Sequence, residues 1–271
     1  MPAIHPARLR QQAALLAEHF QDPPAYVRSL HHLLETYAER AHRPGQAGGL
    51  PSLLASYKVR PPVLRLVLLE LLPLVEEDPS AGLSLCDALW EEPYLEFRLL
   101  ASFVLGHIPC AETESITARL RLWIQPGVEP RLLEALLKDG TLCLRRRSPL
   151  TLLAFTSSWL EEKELFYQKI GLQLLLPLIT DPEYENLPAF YRLIQPLTRS
   201  APTDLRPDLL DVLTGLVKRS PDETAFFLRQ TAAIPNSPDT PWIIRQLLRQ
   251  FPPDLEESLR EFSRELVKQH P

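Results

Sequence analysis

Glycine is scarce in this chain, with nine residues in 271, and that shortage excludes several chemistries. The one adjacent pair, Gly48-Gly49, lacks the lysine of a phosphate-binding loop, and no nucleophile elbow occurs anywhere. Cysteine is equally rare. Cys86, Cys110 and Cys143 are an odd number in a chain long enough to bury its own core, so a disulfide framework is not expected and a reducing compartment fits best. Charge of neither sign dominates: the formal net charge is −5, which gives no general attraction for polyphosphate and leaves only a local basic face to supply one. Long apolar runs are also missing. The richest, Leu64 to Val75 and Leu172 to Ile179, are too short to span a bilayer, and the first twenty residues lack a secretory apolar stretch. The expectation is a cytoplasmic protein with no membrane contact.

What is present is leucine, proline and a rhythm. Apolar residues make up 45% of the chain, leucine leads them, and unbranched side chains lose little rotamer freedom in a helix. No segment alternates as a half-buried strand does. Helix starts recur near Pro61, Tyr94, Glu129, Leu165, Leu205 and Pro241, a period of roughly 35 residues of the kind shown by stacked helix pairs. Apolar positions keep helical spacing, as in Leu64, Val67, Leu68, Leu71, Leu72 and Val75. The predicted fold is therefore all-α, a right-handed α-solenoid of antiparallel helix pairs of the HEAT or armadillo kind, with one helix of each pair lining a concave face.

The twenty-eight prolines read as punctuation between helices. Asp22-Pro23, Asp78-Pro79, Ser148-Pro149, Asp181-Pro182, Ser220-Pro221 and Thr240-Pro241 each place a capping side chain before a proline suited to the first helical position. Ser220 with Glu223 also has the spacing of a capping box. These signals predict an N-terminal helical cap over 1–40, a Gly/Pro-rich linker over 41–51, and one continuous repeat array over 52–271 that ends in the amphipathic helix Asp254 to Gln269. Gly171, inside a strongly apolar helix, marks a close approach between helices.

Two groups of residues invite a functional reading. Arg145, Arg146 and Arg147 follow Arg119, Arg121, Arg131 and Lys138 on preceding helices. In a stacked array they form either one phosphate-binding face or a solvated surface loop. Trp159, Phe166 and Trp242 are either an aromatic cleft or packing between helix pairs. His31-His32 with Glu35, and His107 with Cys110, have helical-turn spacing without a complete ligand set, so no metal is expected and no cofactor is implied. Glu76-Glu77-Asp78 and Glu161-Glu162 read as charges at helix ends.

The phrase LWEEPYLEFRLLASFVLGHIP at 89–109, the helix-pair period and the Trp/Arg layout from Trp159 to Arg245 resemble the HEAT-like bacterial DNA alkylation repair glycosylases, over about Leu83 to Phe251. That resemblance implies a tryptophan followed four positions later by a catalytic aspartate, an aromatic beyond it, and a later arginine on the DNA backbone. Trp159, Phe166 and Arg245 fit those places, whereas Lys163 stands where the aspartate is implied. A cation there does not stabilise a developing oxocarbenium charge. The reading is thus a monomeric, non-catalytic scaffold whose concave face binds DNA or another protein, with Arg119, Arg121, Arg145, Arg146, Arg147, Lys163 and Arg245 as the nucleic-acid contacts. One alternative is an active alkylpurine DNA glycosylase in which Glu162 or Glu164 supplies the negative charge; a second is an adaptor between proteins.

Overall fold

The computed structural model describes residues 5–38 and 54–269, with side chains through 264. The 41–51 linker lies outside the described residues. Within them the protein is helical, and its one β contact is an isolated parallel bridge between Ala55 and Tyr94. No helix among the described residues is long and apolar enough to cross a membrane.

The chain divides into two compact units, residues 1–148 and 149–271. The first unit contains α1 (Pro6–Ala17), α2 (Pro23–Tyr37), α3 (Pro61–Glu77), α4 (Pro79–Glu91), α5 (Leu95–Leu105), α6 (Thr113–Trp123), α7 (Pro130–Ala135) and α8 (Leu142–Arg147). Here α1, α3, α5 and α7 pack in one row, with α2 and α4 in contact in a second. The second unit contains α9 (Pro149–Leu160), α10 (Leu165–Ile179), α11 (Leu187–Arg199), α12 (Arg206–Arg219), α13 (Pro221–Ala233), α14 (Thr240–Leu247) and α15 (Pro253–Gln269). Its rows are α10, α12, α14 and α11, α13, α15, while α9 packs on α10. Each unit is therefore all-α and built from stacked helix pairs, because a lone pair leaves its apolar stripe in water. Of the stripe read around Leu64, the residues Leu64, Val67, Leu71 and Val75 face the core of the first unit while Leu68 and Leu72 are half-buried at its edge; Leu209, Val212, Leu213 and Leu216 are buried in the second.

Side chains that meet across neighbouring pairs are separated by nearly the sequence period. Asp87 and Arg119 are 32 residues apart, Arg206 and Asp239 are 33, Tyr191 and Thr224 are 33, and Gln173 and Asp208 are 35. Equivalent positions of adjacent repeats stand side by side, so a side chain's natural partner lies one repeat away.

The same arithmetic produces a disulfide that the odd cysteine count argues against. Cys110 and Cys143 are 33 residues apart with Cα atoms 6.0 Å from each other, and they are bonded; Cys86 is the buried free thiol. Pairing followed from repeat spacing and not from cysteine number. In oxidised, folded protein a maleimide should therefore label no cysteine, and brief treatment with a dithiol reductant should expose two, read by intact mass. Labelling of two thiols without reductant would remove the bridge.

Most proline starts hold. Asp22 and Asp78 accept from the backbone N–H of Ala25 and Ala81 at 3.1 and 3.0 Å, and α9 and α13 begin at Pro149 and Pro221. Ser220 makes no side-chain cap, however, so the capping box is not formed. Thr240 donates instead to the Thr198 carbonyl at 2.9 Å. Asp181-Pro182 opens a turn and not a helix; Asp181 accepts from the Glu183 N–H at 3.0 Å, and α11 starts only at Leu187. Arg219 of α12 explains that exception by donating to the carbonyls of Ile179 (2.8 Å), Asp181 and Tyr184, which supplies the turn with partners a helix would have used internally. Pro73, Pro177 and Pro196 also depart from punctuation and lie inside α3, α10 and α11, each in the second half of its helix.

Gly171 meets its expectation. A Cβ there would lie 2.8 Å from the Leu160 Cγ and Cδ2 atoms, which shows how closely α9 and α10 approach.

Candidate nucleic-acid interface

The arginine triplet does not lie in a loop. Arg145, Arg146 and Arg147 form the last turn of α8, where cations complement the partial negative charge of unsatisfied carbonyls. The turn before it is a π-helix, Leu136–Gly140. It is held against the end of α5, where the Gly106 carbonyl accepts from the Cys143 N–H at 3.0 Å, and it is tied again through the Cys110–Cys143 bridge. Arg145 donates to the Lys138 carbonyl at 3.0 Å, while Arg146 and Arg147 are exposed. Arg131 and Lys138 are exposed as well.

Arg119 is engaged elsewhere. Its guanidinium forks onto Asp87 at 2.8 and 2.6 Å and reaches the Ser115 carbonyl at 3.1 Å, a bidentate pair that joins α6 to α4 and neutralises its charge. Arg121, at the end of α6, is exposed. Its carbonyl accepts from the Gln125 side chain at 2.8 Å.

Asp139, in the π turn, is the carboxylate of this region that departs from ordinary behaviour. Burial pushes its carboxyl above the usual range, against the opposing pull of Lys138, Arg145 and His107. The folded state thus holds the proton more tightly than the unfolded chain, and stability falls as pH rises from the ordinary carboxylate range through the raised value. Asp139→Asn should consequently raise the urea midpoint at about pH 7 and leave it unchanged at about pH 3, where the wild-type carboxyl is protonated in both states. An equal effect at both pH values would assign it to shape and not to charge.

In the second unit Trp159 is 1% exposed. It packs within α9 on Phe155 (ring centroids 5.1 Å apart) and across to Tyr167 of α10 (5.7 Å, edge-on). Phe166 is half-buried and meets the same Tyr167 at 5.2 Å. Trp242 belongs to another helix pair: Arg206 of α12 lies over its ring at 4.8 Å and pairs with Asp239 at 2.8 Å, while Asp239 also accepts from the Ala201 N–H. Lys163 and Glu164 are exposed in the short connection between α9 and α10. Glu162 is half-buried there, its carbonyl taken by the Gln168 side chain at 2.7 Å. Arg245 is exposed near the end of α14. The histidines have other occupations: His31 sits between the Tyr57 hydroxyl (2.7 Å) and the Glu92 carboxylate (3.0 Å). Among the described residues no group of three His, Cys, Asp or Glu side chains could hold a metal.

A family model described as DNA alkylation repair enzyme matches residues 31–263, most of the chain. The protein belongs to the DNA alkylation repair enzyme family. None of the curated proteins compared with it matches. In this DNA alkylation repair family member, residue-by-residue reading of the sequence passed over two features that the repeat spacing contained. Trp90 and Trp123, one repeat apart, stack face to face at 4.2 Å with Arg98 over Trp90 at 5.2 Å, and so join α4 to α6. Glu96, 4% exposed, accepts from the Ser56 hydroxyl and the Lys58 N–H, both at 2.8 Å, and fastens the 54–60 segment to α5.

Proposed function

We propose that this protein is a non-catalytic DNA-binding scaffold of the DNA alkylation repair family that contacts backbone phosphates and works as a monomer. The observation that carries the reading is the burial of Trp159. A ring meant to cradle an extruded base must face solvent, and this one fills the seam between α9 and α10. Four residues on, exposed Lys163 supplies positive charge where the resemblance implies a carboxylate. Positive charge at that place repels an oxocarbenium ion and attracts a phosphate. Exposed Arg146 and Arg147 in the first unit, and separately exposed Lys163 and Arg245 in the second, offer phosphate contacts without base readout, so affinity is expected to depend on salt and little on sequence or lesion.

The test is binding of fluorescent duplex DNA, with and without an alkylated or abasic site, across a salt series. Each of Arg146→Ala and Arg147→Ala should weaken binding and reduce the log–log salt slope by about 0.9. The lesion should change affinity little, and no free base should appear. Release of alkylated base would replace the scaffold reading with the glycosylase one, and no binding at low salt would remove DNA as the partner.

A further inference from the structure

The second unit carries a groove that the DNA reading does not use. It lies between α11 and α13, has a volume of about 490 Å³, and is lined by Pro188, Tyr191, Phe226 and Phe227 with Asp222, Glu223 and Gln230. Phe226 is 63% exposed, a large apolar side chain left in water on a helix whose other large apolar side chains, Phe227 and Leu228, are buried. Its neighbours are fixed in place: Tyr191 and Phe227 stack at 4.9 Å, and the Tyr191 hydroxyl is hydrogen-bonded to that of Thr224 at 2.9 Å. The floor is therefore formed before anything docks, which limits the ordering cost of binding.

Charge selects the occupant. Asp222 and Glu223 stand exposed in the first turn of α13. Of the two cations on the facing helix, Arg192 folds back toward its own Pro188 carbonyl at 3.4 Å, and Arg199 is held by the Ser237 hydroxyl and the Pro235 carbonyl. Burial raises the Tyr191 phenol above its ordinary value, the Thr224 hydrogen bond opposes that shift and the Glu223 charge adds to it, so the carboxylate acts on the same space as the aromatic floor. An apolar trough with two carboxylates on its rim repels a phosphate backbone and suits a cationic, apolar segment. From Asp222 to Gln230 the wall is about 12 Å long at 1.5 Å per residue, enough for two turns of a bound helix.

The geometry points to a docking site for a short basic peptide segment of a partner protein, one leucine or aromatic side chain of which covers Phe226 while a lysine or arginine pairs with Asp222 and Glu223. A contact this small is expected to be of micromolar strength. It is independent of the DNA reading.

The probe is a fluorescein-labelled amidated 12-residue helical peptide with leucines four apart flanked by lysines, with a second in which every lysine is glutamate. Polarisation should show micromolar binding of the first and about ten-fold weaker binding of the second. Phe226→Ser, and separately Asp222→Asn with Glu223→Gln, should each lower affinity for the basic peptide about ten-fold. Phe226 is exposed, so the thermal midpoint of its variant serves as the folding control, and amide-exchange protection on peptide addition should concentrate in α11 and α13. Unchanged binding in Phe226→Ser, or no binding of the basic peptide at millimolar concentration, overturns the site. Duplex DNA that displaces the peptide, or self-association of the wild type that Phe226→Ser abolishes, overturns the peptide as occupant and assigns the groove to DNA or to a second copy.

Discussion

Trp159→Ala should destabilise the protein by roughly 3–5 kcal/mol, the range for truncating a fully buried tryptophan. The ring is 1% exposed and contacts Phe155 and Tyr167 at centroid distances of 5.1 and 5.7 Å. Its loss leaves a void at the seam of α9 and α10, where Gly171 and Leu160 already bring the helices together. A rigid seam collapses poorly around a void, so the cost should fall in the upper part of that range. Trp159→Phe, which keeps an aromatic body in the seam, should cost clearly less. Urea unfolding of both variants checks the ranking, and DNA affinity should be measured where each is still folded. An alanine variant of wild-type stability that has lost only its DNA affinity would contradict packing and return Trp159 to a cleft.

Gly106→Ala should cost about 3 kcal/mol or more, beyond the usual effect of overpacking, because the obstruction is backbone. A Cβ on Gly106 would fall 1.7 Å from the Asp139 carbonyl oxygen and 2.8 Å from its carbon. No rotamer change relieves that clash. The end of α5 must move away from the π turn, which lengthens the Cys143 N–H to Gly106 carbonyl bond and displaces the base of α8. Gly106 has φ −68°, an ordinary helical value, so the effect comes from space and not from conformational freedom. Gly127 is the converse control: its φ is +88° and nothing lies within 4 Å of an added Cβ, so alanine there should cost only about 1 kcal/mol of backbone strain. Thermal unfolding of the two variants, with quantitation of the Cys110–Cys143 bridge, checks the pair. Equal small losses would mean that α5 and the π turn do not approach as described.

How far the sequence could be read depended on whether a signal was local or belonged to the repeat. Helix starts at Pro61, Leu95, Pro130, Leu165, Arg206 and Thr240 lie within one residue of their expected places, because caps, prolines and apolar spacing act over three or four residues. Asp181-Pro182 carried the same local signal and made a turn. There Arg219, 38 residues away from Asp181, offered the carbonyls a better donor. The capping box at Ser220 went unmade although its spacing was right. For the site, a residue's type was legible and its direction was not: Trp159 and Trp242 look alike in sequence, yet one is sealed between helices and the other lies beneath an arginine.

By itself, then, the sequence determined the helical class, the period near 35 residues and most helix boundaries, since these follow from backbone hydrogen bonding, capping and the 3.6-residue turn. Only tertiary structure decided that Cys110 meets Cys143, that Arg119 is held by Asp87 while Arg146 and Arg147 stay exposed, and that Phe226 lines an open apolar groove with carboxylates on its rim. Each of those outcomes depends on which face of one helix meets the next repeat. A rotation of about 100° per residue turns a one-residue difference in register into the difference between a buried ring and an exposed one.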